Sequence, residues 1–159
     1  MGEKKNTKKI YKIIPVLIMI FIFVQSAFPA DLSSRESGLI VSLVRHFWDA
    51  DPETITYVVR KCAHFIEYLA LGWSLLLPVT NRFGRFGGLY AWVFGSLYAV
   101  TDEIHQIFVK ERSCELSDVL LDSAGVLTGL LIAFALSMIR AGRQSHKEEV
   151  KRIRKKLSS

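Results

Sequence analysis

Cysteine is scarce in this sequence, and several common patterns of catalytic and metal-binding residues are missing. Cys62 and Cys114 are the only two cysteines among the 159 residues. They form no CxxC motif and have no spacing typical of metal ligands, so cysteine-based zinc and redox motifs are not indicated. A disulfide between them remains sterically open. No Ser-His-Asp or Cys-His arrangement stands out either, so the sequence does not point to covalent catalysis.

Positive charge is sparse in the middle of the chain and gathers at its ends. Residues 1–12 carry five lysines against one acid, and residues 140–159 carry eight basic residues against two acids. Between these tails lie four apolar stretches, which is the pattern of a small polytopic membrane protein with cytoplasmic basic tails. We therefore expect a transmembrane domain at 13–139 between the two tails. The lipid bilayer is the expected partner, and nucleic acid is not.

The apolar stretches predict an all-α fold, a bundle of four transmembrane helices. The predicted spans are 13–28, 55–78, 89–108 and 117–139. Both termini are then cytoplasmic, and the acid-free segment 79–88 is a cytoplasmic loop. Gly125 and Gly129 lie four residues apart and predict close packing of the last helix against another.

The segment between the first two spans has a different character. Residues 31–50 repeat apolar side chains at helical spacing opposite charged ones, which predicts an amphipathic helix in the outer membrane interface. Asp51 followed by Pro52 predicts the start of the second span, with the aspartate as its cap.

Polar side chains within the apolar segments fall at one end of each predicted span. If the N-terminus is cytoplasmic, these polar ends of the four spans all lie at the outer surface of the membrane. The first span contributes Gln25 and Ser26. The other spans contribute Lys61, His64, Glu67, Tyr68, Asp102, Glu103, Gln106, Asp118 and Asp122, joined by Arg112 from the loop before the last span. Ionisable groups at membrane depth are expensive and indicate function. The sequence therefore predicts a polar pocket that opens to the extracytoplasmic face.

Three interpretations of this cluster remain open. Lys61 and Arg112 could pair with the acids in a network that only joins the helices. The pocket could instead bind a polar head group or a metal. Alternatively, His64 and a carboxylate of Asp102 or Glu103 could perform general acid–base chemistry at the membrane surface.

A metal could be held by His64, Asp102, Glu103 and His105, but no pair has the HExxH spacing of a helical zinc site. His105 also lies on a different helix face from Asp102, which favours a packing role. We therefore assign no metal and expect no cofactor.

Two stretches, RKCAHFIEYLALG at 60–72 and TDEIHQIFVKERSCELSDVLLDSAGVLTG at 101–129, resemble the VanZ-like membrane proteins. That family's pattern is K-x-x-H-x-x-x-Y, then D-E-x-x-Q, a loop arginine, and D-V-x-x-[ND]-x-x-G. It falls on Lys61, His64, Tyr68, Asp102, Glu103, Gln106, Arg112, Asp118, Asp122 and Gly125, and Gln25-Ser26 is similar to its first-helix signature. The sequence departs from the pattern at Lys110-Glu111, where Pro-Gly is usual, and at Asp122, where many members have asparagine.

The resemblance implies a role in the cell envelope, with an association with teicoplanin resistance, and implies no established reaction. We expect the pocket to bind a polar head group, a lipid-linked wall precursor or a glycopeptide, with Lys61 and Arg112 available for an anion. The alternative is a membrane enzyme in which His64 and Asp102 or Glu103 act as acid and base while Arg112 stabilises charge. A proton-coupled transporter is a weaker interpretation, and a homodimer stays open.

Overall fold

The computed structural model describes residues 3–28, 42–44, 46, 48, 50–110, 112 and 114–157. Within these ranges it is built from helices and turns and contains no strand, which confirms the all-α fold. The helices are α1 (Glu3–Ser26), α2 (Pro52–Phe83), a short 3₁₀ helix (Gly84–Phe86), α3 (Gly87–Gln106) and α4 (Leu116–Leu157). The amphipathic helix expected at 31–50 lies almost entirely outside the described residues.

The connection between α2 and α3 is much shorter than the predicted loop at 79–88, so that prediction was wrong. Helix α2 continues through Pro78 to Phe83, and the chain reverses at Gly84, whose φ of 58° is one that side-chain-bearing residues rarely adopt. The Gly84 N–H donates to the carbonyl of Thr80 and closes the last helical turn. A proline inside a helix removes one hydrogen-bond donor and disfavours the preceding turn, yet α2 continues for five residues beyond Pro78.

Helix α4 also extends beyond its expected end at residue 139 and includes most of the basic tail. No proline interrupts this segment, and its charged residues are good helix formers. Lys151 and Glu148 stand three residues apart with nitrogen and oxygen separated by 3.6 Å, a spacing that supports an exposed helix.

The start of α2 matches the sequence expectation. Asp51 is the N-cap, its carboxylate accepts hydrogen bonds from the Thr54 hydroxyl at 2.5 Å and the Thr54 backbone N–H at 2.9 Å, and Pro52 follows. These two hydrogen bonds from Thr54 hold the pKa of Asp51 below its ordinary value. The cap is therefore charged near neutral pH and complements the positive end of the helix.

The most extensive packing in the structure joins α2 to α4. A Cβ at Gly125 would lie 2.7 Å from the carbonyl oxygen of Phe65, and one at Gly129 would overlap the carbonyl of Leu69. On the facing helix, a Cβ at Gly72 would overlap the backbone of Val126. The two helices thus touch backbone to backbone, which confirms that Gly125 and Gly129 mark a packing face.

A small core of buried apolar residues lies between the helices and includes Tyr68, Leu71 and Val126. Many large apolar side chains point outward instead, among them Leu17 on α1 and Leu97 on α3. A soluble monomer rarely exposes apolar surface on this scale, whereas a bilayer would cover it. Among the described residues, Pro52–Gln106 and Leu116–Arg154 are long and apolar enough to cross a membrane, and Tyr11–Ser26 is a shorter apolar helix.

Candidate functional site

The end of α1, the start of α2, the end of α3 and the start of α4 meet at one end of the bundle. A cavity of about 160 Å³ lies between α2, α3, α4 and the segment that precedes α4. Its lining is mostly polar and consists of Tyr57, Arg60, Lys61, His64, Glu103, Arg112, Glu115, Asp118, Leu121 and Asp122. Six of the ten residues singled out in the sequence therefore share this cavity.

Lys61 is the centre of an ion-pair network on one wall of the cavity. Its ammonium contacts the carboxylate of Asp118, lies 3.3 Å from Glu115 Oε2, and sits 4.7 Å from the centre of the Tyr57 ring. The Lys61 charge is therefore paired with two carboxylates in this structure, as in the structural network that the sequence left open, and its role in binding an anion stays a prediction.

Asp102 lies behind the cavity and is 2 % exposed. Its Oδ2 accepts a hydrogen bond from Ser26 Oγ at 2.8 Å, and Gln106 Nε2 approaches the same oxygen at 3.4 Å. The fully buried Tyr68 packs beside them from α2. This buried group ties the end of α1 to α3 and places the other Asp102 oxygen toward the interior of the site.

Glu103 and Arg112 shape the side of the cavity that the loop covers. Glu103 Oε2 accepts the backbone N–H of Glu115 at 3.0 Å and so anchors the chain where it enters α4. Arg112 projects from the loop, and its Nε and Nη1 atoms are buried without a hydrogen bond to any residue that the structure describes. Burial lowers the pKa of Arg112, with Arg60 acting in the same direction and Asp102 opposing it. A guanidinium nevertheless stays charged in proteins.

His64 and Asp122 complete the interior of the site. His64 Nδ1 is 3.9 Å from Glu67 Oε2, too far for a hydrogen bond, and Asp122 is 1 % exposed. One potential ligand atom from each of His64, Asp102 and Asp122 lies within 4.8 Å of the others. These are the described side chains placed to hold a metal ion, and they differ from the set considered from the sequence.

Three residues considered from the sequence, His105, Cys62 and Cys114, do not line the cavity. The ring of His105 stacks on Phe23 with centroids 4.4 Å apart, which confirms a packing role between α3 and α1. Cys62 and Cys114 are both exposed free thiols, so the disulfide left open by the sequence does not form in this structure.

Four residues of the lining were not among the predicted site residues, namely Tyr57, Arg60, Glu115 and Leu121. Tyr57 and Arg60 precede Lys61 and His64 by four residues each, and Glu115 precedes Asp118 by three. Helical spacing alone would have placed them on the same faces. The sequence placed Ser26 at the polar end of the first helix, but its partner Asp102 depends on how α1 packs against α3.

An all-helical bundle with an apolar exterior and a polar cavity at one end defines a helical membrane protein. The profile of the VanZ/LLP1 family matches residues 12–138, and the chain therefore belongs to that family. No curated protein and no solved structure compared with the chain gave a significant match.

Proposed function

We propose that this membrane protein crosses the cell membrane four times and uses an outward-facing cavity to bind an anionic head group. The occupant would belong to a lipid, a lipid-linked wall precursor or a glycopeptide, and binding would contribute to teicoplanin tolerance. The observation that carries this proposal is the Arg112 guanidinium, which lines the cavity and has two nitrogens without a hydrogen-bond partner among the described residues.

Helix length and exposed surface support four crossings. Helix α3, with 20 residues, spans about 30 Å, which is close to the thickness of the hydrocarbon core, and α2 and α4 are longer. The 3₁₀ turn at Gly84–Phe86 separates α2 from α3, and the two helices pack side by side. The apolar part of α1 is shorter, but its large side chains are exposed in the same way.

The distribution of basic residues supports the orientation. Lys12 of α1 and Arg82 of α2 border one groove, and Arg140 of α4 borders another, both remote from the polar cavity. Basic residues at the bundle end opposite the cavity favour a cytoplasmic location for that end. The cavity would then open outward.

The native cysteines offer a direct test of this orientation, because Cys62 and Cys114 belong to the cavity end. We expect a Cys62→Ala protein to react at Cys114 with a membrane-impermeant maleimide in intact cells. A cysteine introduced as Gln144→Cys into a protein lacking both native cysteines should react only after permeabilisation. The reverse pattern of labelling would contradict an outward-facing cavity.

Two arginines support an anionic ligand, although the cavity lining also carries the four acids Glu103, Glu115, Asp118 and Asp122. Lys61 is committed to Asp118 and Glu115, so the cations available to a ligand are Arg112 and Arg60, whose Nε is also buried without a partner among the described residues. A guanidinium can form two parallel hydrogen bonds to a phosphate or carboxylate. An anion in the cavity would satisfy donors that are otherwise costly to bury.

Arg112→Gln is expected to weaken binding of a polyprenyl phosphate or of teicoplanin by about tenfold or more, because a charge-assisted pair is lost. The measurement is titration of each probe into purified protein in nanodiscs, with Arg143→Gln on the exposed part of α4 as the matched control. Cells expressing equal membrane levels of the same variants would then be compared for teicoplanin susceptibility. Unchanged affinity for both probes in Arg112→Gln, or no binding by the wild type, would contradict the proposal.

A further inference from the structure

Three side chains that the proposed anion site does not use converge from three helices. They are His64 on α2, Asp102 on α3 and Asp122 on α4, with one potential ligand atom of each within 4.8 Å of the others. Asp102 is 2 % exposed and Asp122 is 1 % exposed, so bulk water does not solvate either carboxylate. Two carboxylates held this close without solvent require a compensating partner.

The described residues supply no cation that pairs with these carboxylates, and the buried Tyr68 hydroxyl offers Asp102 a neutral donor only. Asp102 Oδ1, Asp122 Oδ1 and His64 Nδ1 are each buried without a hydrogen bond to any residue that the structure describes. The other oxygen of Asp102 is occupied by Ser26 and Gln106. The unsatisfied atoms thus belong to the same three side chains that cluster together, and unsatisfied buried acceptors are rare in folded proteins.

The nearby cations reduce this deficit without removing it, because Arg112 acts on Asp102 and Lys61 acts on Asp122 electrostatically while neither forms an ion pair with them. Glu67 from α2 and Glu103 from α3 add negative charge near the cluster, and Glu103 is engaged with the backbone of Glu115. Lys61 is bound to Asp118 and Glu115 instead. No basic nitrogen among the described residues forms an ion pair with Asp102 or Asp122.

We propose that His64, Asp102 and Asp122 bind a divalent transition-metal ion such as Mn²⁺ or Zn²⁺. One imidazole nitrogen and two carboxylate oxygens suit these ions better than Mg²⁺ or Ca²⁺, which prefer oxygen ligands alone. Ligand atoms around an ion with bonds of about 2.0–2.2 Å stand roughly 3–4 Å apart. Small side-chain rotations would bring the three atoms to that separation.

The neighbouring groups fit such a site. Ser26 and Gln106 orient the Asp102 carboxylate through its outer oxygen, as outer hydrogen bonds commonly orient metal ligands. His64 and Asp122 also line the cavity, so remaining coordination positions would face it. Three protein ligands with positions left open are typical of metal sites that accept an exogenous oxygen ligand.

The test uses the full-length protein in nanodiscs, stripped with a chelator and titrated separately with Mn²⁺, Zn²⁺, Mg²⁺ and Ca²⁺. We expect the wild type to retain about one Mn²⁺ or Zn²⁺ per chain after desalting and to gain thermal stability on loading, with weaker effects from Mg²⁺ and Ca²⁺. Asp122→Asn, which keeps the side-chain shape, should weaken metal binding at least about tenfold. Glu148→Gln and His146→Gln, both on the exposed end of α4, are matched controls.

Two results would overturn the metal site: a wild type that neither retains Mn²⁺ or Zn²⁺ nor gains stability, or an Asp122→Asn protein that binds as tightly as the wild type. The wild-type measurement decides the question even if a variant fails to fold. Arg112→Gln separates this inference from the proposed anion site, because it should retain metal while losing affinity for the anionic probes. If Arg112→Gln lost the metal while Asp122→Asn kept it, the ion would lie elsewhere, and the assignment would be contradicted.

Discussion

Gly129→Ala is expected to destabilise the protein by about 1–3 kcal/mol, the usual cost of overpacking a tightly packed contact. The added methyl group would overlap the carbonyl of Leu69 and approach the backbone N of Trp73 at 2.8 Å. Backbone atoms of a long helix cannot move aside independently, so α2 and α4 would have to separate along their main contact. A leucine at this position should prevent formation of the folded bundle.

Gly142→Ala is the matched control because it lies on the same helix with no atom within 4 Å of an added Cβ. Alanine favours helix over glycine by about 1 kcal/mol, so this variant should be as stable as the wild type or more so. The measurements are thermal unfolding in detergent and the monodisperse fraction in size-exclusion chromatography. Equal stability of Gly129→Ala and Gly142→Ala would show that the helices are not in backbone contact.

Lys61→Met is expected to lower the free energy of unfolding by about 1–3 kcal/mol. Removing one partner of a fully buried ion pair costs about 3–5 kcal/mol. The loss should be smaller here because the side chains of Lys61, Asp118 and Glu115 are 19 %, 27 % and 44 % exposed, and solvent screens part of the interaction. Without the ammonium, Asp118 and Glu115 repel each other where α2 meets α4.

Lys151→Met provides the comparison. Lys151 Nζ lies 3.6 Å from Glu148 Oε1, but the two side chains are 75 % and 57 % exposed. An exposed pair of this kind contributes less than about 1 kcal/mol. Combining Lys61→Met with Asp118→Leu should recover part of the lost stability, because the uncompensated carboxylate is then gone. Losses of the same size in Lys61→Met and Lys151→Met would mean that the cavity pair is no more important than a surface pair.

The helical class and the position of the polar residues along the chain were predictable from the sequence. Hydrophobic periodicity and the Asp51-Pro52 start are local signals, since they depend on residues one or two turns apart. The same logic placed Gly125 and Gly129 on one face. Helix ends were less predictable. Helix α2 ends at Phe83 and α4 at Leu157, both later than the apolar segments that predicted them.

The pairing of charges was not predictable in the same way. The sequence left open whether Lys61 serves a ligand or pairs with acids, and the structure shows that it pairs with Asp118 and Glu115. Which acid lies next to a given base depends on the rotation of each helix about its axis and on the depth at which the helices cross. Neither quantity is encoded by spacing within a single helix.

The sequence by itself therefore determined the helices, their apolar exteriors and the end of each that carries polar groups, because these follow from periodicity within short segments. Only the tertiary structure decided that His64, Asp102 and Asp122 converge and that Ser26 holds one oxygen of Asp102. These contacts join residues on different helices, far apart in the chain. Their distances are set by how backbones pack through glycine faces rather than by any local pattern.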